Sequence, residues 1–119
     1  MERERYSSGA PWEPLAGYSR AVRAGPTIFV AGTTCAGTDA YEQAIGAMRK
    51  IEEILREAGA SLEHVVQTRI YVTNIKDFES VARAHRETFD RIKPASTLVQ
   101  VCALVLPELL VEIEAVAVI

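Results

Sequence analysis

The chain is poor in cysteine and histidine and has no surplus of positive charge. Its 119 residues include two cysteines and two histidines, with no CxxC motif and no His/Cys cluster. A disulfide framework and a zinc site are therefore not expected, and no metal or cofactor is predicted. The 13 basic and 16 acidic residues give a net charge of −3. This balance argues against a broad basic surface for nucleic acid and leaves room only for a local patch.

Long apolar runs and a hydrophobic leader are also missing. No apolar stretch follows the charged N-terminus, so no signal peptide is predicted. The longest apolar run of the last quarter, Val101–Leu106, is far shorter than the roughly 20 residues that span a bilayer. These features predict a reduced, cytoplasmic protein with no membrane partner.

The last quarter of the chain, residues 95–119, is strongly apolar and has only three charged residues, namely Glu108, Glu112 and Glu114. A chain of this size buries only about two-thirds of its unfolded surface. One small domain therefore has difficulty covering both faces of such a segment. A second subunit is the simplest cover, and we expect a homo-oligomer.

Residue periodicity predicts the order β-β-α-β-α-β-β after an N-terminal arm. Residues 1–16 have no period and are expected to become ordered only by docking, whereas residues 17–119 are expected to form one domain. The predicted elements are strands at 17–23 and 27–33, a helix capped by Asp39 and ending near Gly59, a strand at 65–73, a helix capped by Asn74 and closed by Pro94, and strands at 97–104 and 109–118. Both helices are amphipathic and can cover one side of one sheet, which predicts a two-layer α+β fold. The other side is expected to expose apolar residues, namely Val99, Val101, Val116 and Val118.

Six segments also match a known family in the family's order. They are Gly17–Val22, Ile28–Gly32, Val65–Val72, Lys76–Phe78, Lys93–Ala95 and Val111–Val118. With these segments the chain resembles the RidA/YjgF family, also called L-PSP endoribonuclease-like. The resemblance implies a chorismate-mutase-like fold, a homotrimer and a small-molecule cleft between subunits. Active members hydrolyse enamine or imine intermediates to a 2-oxo acid and ammonia, without a cofactor or metal.

The resemblance assigns three residues to the cleft. Glu112 matches the glutamate that positions or activates water, Tyr18 the tyrosine that lines the cleft, and Gly32 the cleft glycine. Each has a structural alternative: an ion pair for Glu112, interface packing for Tyr18 and a strand-end kink for Gly32. A carboxylate within an apolar strand is costly unless it is paired or functional, and burial would raise its pKa toward the range of a general base.

One position departs from the family. Ser96 stands where active deaminases have the arginine that clamps the substrate carboxylate. Hydrogen bonds to charged groups contribute about 1.5–3 kcal/mol, so a serine there should weaken binding of a carboxylate roughly ten- to a hundredfold or more. Arg20 or Arg69 could supply the charge, or could pair with Glu112 or Glu114 instead. His85, in the apolar stripe of the second helix, is predicted to be packed rather than catalytic.

Three functions are open at this point. The first is a small-molecule cleft protein that hydrolyses an imine, enamine or related metabolite with Glu112 as the catalytic residue. Its candidate binding residues are Tyr18, Gly32, Ser96, Arg20 and Arg69. The second is a non-catalytic trimer that binds a metabolite or a protein. The third, an endoribonuclease, is disfavoured because the chain has negative net charge and no basic stripe with stacking aromatics. A nucleophilic role for Cys35 is disfavoured as well, since no charged neighbour in the sequence lowers its pKa.

Overall fold

A computed structural model of the protein describes residues 2–119 and arranges them as one sheet with helices packed on one side. The strands are β1 (Arg3–Tyr6), β2 (Ala21–Ala24), β3 (Thr27–Thr33), β4 (Val65–Val72), β5 (Ala95–Gln100) and β6 (Val111–Val118). The helices are α1 (Trp12–Ala16), α2 (Ala40–Glu57) and α3 (Phe78–Phe89), with 3-10 turns at Leu62–His64 and Ile75–Asp77. The predicted two-layer α+β class is confirmed.

The six strands lie in the order β1-β2-β3-β6-β4-β5. All neighbours are antiparallel except β4 and β5, which are parallel and are connected through α3. The last strand in the sequence, β6, is therefore interior to the sheet, paired with β3 on one side and β4 on the other. This position accounts for the apolar character of the C-terminal segment.

The helix α2 begins where its capping residue predicts. The Asp39 carboxylate accepts the backbone N–H of Glu42 at 2.8 Å, which satisfies one of the free amides of the first turn. The Glu42 carboxylate then accepts the hydroxyl of Thr38 at 2.6 Å. Apolar residues at three- and four-residue steps, among them Ile51 and Leu55, are buried against the sheet.

The second long helix has a two-part start. Asn74 accepts the backbone N–H of Lys76 at 2.9 Å and so caps the 3-10 turn that leads into α3. Among the apolar residues at helical spacing in α3, Val81 and Phe89 are buried as an amphipathic helix predicts, whereas Phe78 is 50% exposed. Phe78 is the first residue of α3 and lies beside the edge strand β5, where no further strand covers it.

The other differences between prediction and structure concern where strands begin and end. The strand predicted at 97–104 ends at Gln100, because its only partner, β4, ends at Val72 opposite it. The strand predicted from Gly17 begins at Ala21, because Gly17 has a left-handed backbone (φ 76°) at the end of α1. Residues 3–6 of the N-terminal arm add the edge strand β1, which pairs with β2 and has no periodic signal in the sequence.

The two faces of the sheet differ sharply. One face packs its apolar residues, such as Ile28, Ile70 and Ile113, under the helices. The other face has no helix and exposes apolar residues, among them Phe29, Val99 and Val118. In a regularly alternating strand Val66 would share the helix side with Thr68; it is exposed instead, because a bulge between Val65 and Gln67 shifts the alternation. Within residues 2–119, no helix has both the length and the apolarity needed to cross a membrane.

Candidate functional site

The half-buried carboxylate of Glu112 lies on the uncovered face of the sheet. Its neighbours in β6, Val111 and Ile113, face the helices, so the alternation of the strand turns Glu112 the other way. Burial raises the pKa of Glu112, and the negative charge of Glu114 raises it further. The positive charge of Arg20 lowers the pKa and offsets part of this rise. The side chain is thus poised to exchange a proton closer to neutrality than an exposed glutamate.

The carboxylate of Glu112 lies directly over the backbone of Gly32 in β3. A Cβ added to Gly32 would overlap the Glu112 Oε2 atom and lie 2.9 Å from its Cδ. Only a residue without a side chain allows this approach. Gly32 and Glu112 are 80 positions apart in the sequence, and pairing of β3 with β6 brings them together.

Arg20 completes this cluster. One guanidinium nitrogen, Nη2, donates to the carbonyl oxygen of Gly32, and the guanidinium carbon lies 5.9 Å from the centre of the Tyr18 ring. This is a cation–π geometry. The Nε atom of Arg20 is buried and has no hydrogen-bond partner among the described residues. Tyr18, Arg20, Gly32 and Glu112 thus form one group, which we call the Glu112 cluster.

Arg69 has a different environment. Its Nη1 atom is 3.8 Å from Oε2 of Glu114, and Tyr71 donates its hydroxyl to the other oxygen of the same carboxylate. That hydrogen bond, together with burial and the charge of Glu114, raises the pKa of Tyr71. Arg69 is therefore paired with Glu114, which is one of the two roles that the sequence left open for it. The cation next to Glu112 is Arg20.

Ser96 does not join the Glu112 cluster within one chain. It lies opposite the fully buried Thr68 in the β4–β5 pair, and Thr68 donates its hydroxyl to Ser96 at 2.8 Å. Because Thr68 faces the helices, Ser96 is bonded on the side of the sheet away from Glu112. Within one subunit, Ser96 and Glu112 therefore lie on opposite sides of the sheet, and a role for Ser96 at a cleft between subunits stays a prediction.

Thr68 and His85 are polar residues whose connection sequence analysis missed. The Oγ1 atom of Thr68 is 2.9 Å from Nε2 of His85, which makes a chain from Ser96 through Thr68 to the imidazole. The chain lies at a groove of about 330 Å³ that Phe78 and Arg86 also line. The available signal was Thr68 itself, a polar residue on the otherwise apolar helix side of β4.

The half-buried His85 predicts how stability depends on pH. Burial lowers the pKa of His85, so the unfolded chain binds a proton at a higher pH than the folded one. The free energy of unfolding should therefore fall as the pH drops below the ordinary imidazole value of about 6.5, and the loss is complete below the folded pKa. His85→Gln, whose amide can still bond Thr68, should flatten this part of the curve. Urea unfolding of both proteins across this range measures it; identical slopes would contradict it.

No group of three or more His, Cys, Asp or Glu side chains suited to a metal ion occurs within residues 2–119. The chemistry available at the Glu112 cluster is that of a carboxylate of raised pKa next to one guanidinium, with the Tyr18 ring beside that guanidinium. Such a group can move a proton to or from water.

Comparison with known proteins places this fold and cluster in a class. A family model described as Endoribonuclease L-PSP matches residues 8–119. A crystal structure of a YjgF/YER057c/UK114 family member from Mycobacterium tuberculosis superposes with a TM-score of 0.97 at 49% identity, covering 99% of this chain and 100% of the other. The class is thus that of the small α+β proteins of the YjgF/YER057c/UK114 family.

Curated relatives give the same result. A RutC family protein of Pyrococcus abyssi is 35% identical over 120 residues, covering 94% of this chain and 93% of its own length. The 2-iminobutanoate/2-iminopropanoate deaminase of Mus musculus is 33% identical over 111 residues, covering 85% of this chain and 80% of its own length. The chain belongs to the L-PSP endoribonuclease family, which is the RidA/YjgF family that its sequence resembles.

Proposed function

We propose that the protein hydrolyses a small imine or enamine at the Glu112 cluster. The observation that carries this proposal is the half-buried carboxylate of Glu112, which has a raised pKa and lies over the bare backbone of Gly32. The relationship to a mouse protein named as an imine deaminase supports this reaction class. An enamine would enter the reaction as its imine tautomer.

Glu112 acts as the general base and then as the acid. The substrate is the protonated imine. Glu112 takes a proton from water as the water oxygen attacks the carbon of the C=N bond, which gives a neutral amino alcohol. Glu112 returns that proton to the nitrogen; the C–N bond then breaks as Glu112 takes the proton of the hydroxyl group, and the products are a carbonyl compound and ammonia, which accepts the proton from Glu112. A pKa closer to neutrality suits both transfers, and groups of this kind typically contribute about 10²–10⁴-fold to a rate.

Arg20 is the candidate anchor for the substrate. Ser96 provides no charge, and Arg69 is held by Glu114. Arg20 lies beside Glu112 and has a buried Nε without a partner in residues 2–119. We propose that Arg20 and Tyr18 hold an oxygen-bearing group of the substrate, and that the substrate does not depend on the carboxylate clamp of other deaminases.

We also propose that the protein is a homotrimer whose clefts lie between subunits. The uncovered sheet face supports this, because Phe29 is 51% exposed and Val99 and Val118 are exposed on the same face. Apolar patches of this kind are rarely left in water. A neighbouring subunit on that face would also cover the Glu112 cluster and exclude bulk water from it.

Supplying the purified protein with 2-aminoacrylate made by a dehydratase tests the proposed reaction. We expect faster release of ammonia and pyruvate than in buffer alone. No acceleration would overturn the deaminase proposal, and ligands that raise the melting temperature but are never converted would favour a binding module. Ser96→Arg is the informative variant: a gain in rate only for carboxylate substrates would identify the lost clamp as the determinant of specificity.

The assembly has its own test. Phe29→Glu places a charge at the centre of the uncovered face, and we expect it to convert a trimer into monomers because burying an unpaired charge is strongly unfavourable. Light scattering after gel filtration gives the mass of each form. Leu15→Glu is the matched control, since Leu15 is exposed on α1 outside the sheet. A monomeric wild type, or a trimeric Phe29→Glu, would contradict the assembly.

A further inference from the structure

A second cleft is lined by the N-terminal arm, Arg20, the end of β3 and α2. Its volume is about 430 Å³, within the range of sites for small molecules. The lining residues on which the argument depends are Trp12, Arg20, Lys50, Glu53 and Glu57. None of them except Arg20 belongs to the Glu112 cluster.

The positive charges of this cleft converge on one stretch of backbone. Lys50 donates from Nζ to the carbonyl oxygen of Thr34 at 2.9 Å, and Arg20 donates to the carbonyl oxygen of Gly32. The two carbonyls are two positions apart, a separation of about 7 Å along an extended chain. Neither cation has a carboxylate within 4.0 Å among residues 2–119. Both positive groups are thus fixed to backbone carbonyls at one end of the cleft without a direct ion pair.

The negative charges come from one face of α2. Lys50, Glu53 and Glu57 recur at three- and four-residue steps, so they point to the same side of the helix. Neither glutamate makes an ion pair within residues 2–119. Glu52, one position away on the helix, differs in that it pairs with Arg56 at 3.0 Å. The cleft therefore combines charged groups of both signs that make no direct ion pair within residues 2–119.

The remaining wall is aromatic. Trp12 is 39% exposed and is the only tryptophan of the chain. An indole face provides a flat apolar surface for a side chain or methylene group. A simple anion in this cleft would meet two carboxylates, and a simple cation would meet two positive side chains. A zwitterion avoids both repulsions, because each of its charged groups can lie beside side chains of the opposite sign.

We propose that this cleft binds a zwitterionic amino acid. Its carboxylate lies toward Arg20 and Lys50, its ammonium group toward Glu53 and Glu57, and its side chain against Trp12. The site is separate from the proposed hydrolysis at Glu112 and can exist without it. Because Arg20 faces both places, a bound carboxylate reaches the cation that stands next to Glu112.

The single tryptophan makes the test direct. The ¹⁵N–H resonance of the Trp12 indole is recorded while the full-length protein is titrated with L-leucine into the millimolar range. Two matched probes follow: N-acetyl-L-leucine, which lacks the ammonium group, and L-leucinamide, which lacks the carboxylate. We expect a saturable shift with L-leucine and binding at least about tenfold weaker with each analogue, since one lost charged contact is worth about 1.4 kcal/mol or more.

Two variants locate the site. Lys50→Gln and Glu53→Gln should each weaken binding of L-leucine about tenfold, while the amide spectrum stays that of a folded protein. Glu52→Gln is the control on the same helix and should leave the affinity unchanged, because its partner Arg56 lies outside the cleft. The proposal is overturned by an unshifted Trp12 resonance with L-leucine, by equal binding of the three probes, or by unchanged affinity in both cleft variants. All of these readouts are independent of imine hydrolysis.

Discussion

Replacing Glu112 with glutamine should abolish imine hydrolysis and leave the fold at least as stable as the wild type at neutral pH. Glutamine preserves the shape of the side chain but cannot take a proton from water, so we expect a loss of about 10²–10⁴-fold in kcat/KM. Imine hydrolysis by the two proteins, followed as ammonia release, measures this loss. A Glu112→Gln enzyme with the wild-type rate would show that the carboxylate is not the base.

The stability half of this prediction follows from the direction of the pKa shift. Burial raises the pKa of Glu112 in the folded state. The contribution of Glu112 to the free energy of unfolding is therefore fully present below the pKa that it has in the unfolded chain. That contribution is lost as the pH rises through its pKa in the folded protein. At neutral pH the wild type thus holds a charge that the fold disfavours, and glutamine removes it. Thermal unfolding at neutral pH should show an equal or higher melting temperature for Glu112→Gln.

Glu114→Gln is the matched control. Glu114 has the same side chain on the same face two positions later, but it is bonded to Tyr71 and paired with Arg69. We expect this variant to lose some stability, since it weakens these contacts, and to keep most of the activity. A larger loss of rate in Glu114→Gln than in Glu112→Gln would move the chemistry to the second glutamate.

Gly32→Ala should inactivate the protein without unfolding it. The added Cβ would overlap Oε2 of Glu112 and lie 2.9 Å from its Cδ, so the carboxylate must move. The atoms in the way are the end of a flexible side chain and not backbone, so rotation of that side chain relieves the overlap at small cost in stability. The catalytic base is then displaced, and a shift of 1 Å at such a site can cost about 100-fold in rate.

A second substitution checks this explanation. In the double variant Gly32→Ala/Glu112→Asp, the carboxylate is shorter by one methylene and no longer needs the space that the new methyl group fills. We compare the effect of the Gly32→Ala change in two backgrounds. We expect this change to reduce activity less when residue 112 is aspartate than when it is the native glutamate. Full activity of Gly32→Ala, at an unchanged melting temperature, would show that the position of Glu112 over Gly32 is unimportant.

Alternation within strands could be predicted from the sequence because it is a local property. Val111, Ile113 and Ala115 alternate with Glu112 and Glu114, which already places both glutamates on one face. The pairing of β6 with β3, which sets Gly32 beneath Glu112, could not be predicted, since register depends on contacts between residues far apart in the chain. The hydrogen bond from Arg20 to Gly32 depends on the same register.

The features that the sequence did not predict depend on strand irregularity and on packing between elements. The bulge after Val65 turns Val66 outward, and a bulge leaves no mark in a simple alternating pattern. The resemblance assigns Ser96 and Glu112 to one site but does not say from which face, or from which subunit, each residue reaches it. The bonds of Thr68 to Ser96 and His85 depend on the packing of helix α3 against the sheet, which a strand pattern does not show.

The central claim is that Glu112 is the base that hydrolyses an imine, and the pH dependence of kcat/KM tests it most directly. The rate of ammonia release from the imine substrate should rise with pH through an apparent pKa above the ordinary glutamate value, as burial of Glu112 requires. Arg20→Gln should move that rise to higher pH, because the charge of Arg20 lowers the pKa of Glu112. Glu112→Gln should remove the rise and almost all of the rate. An unchanged profile and rate in Glu112→Gln would contradict the account.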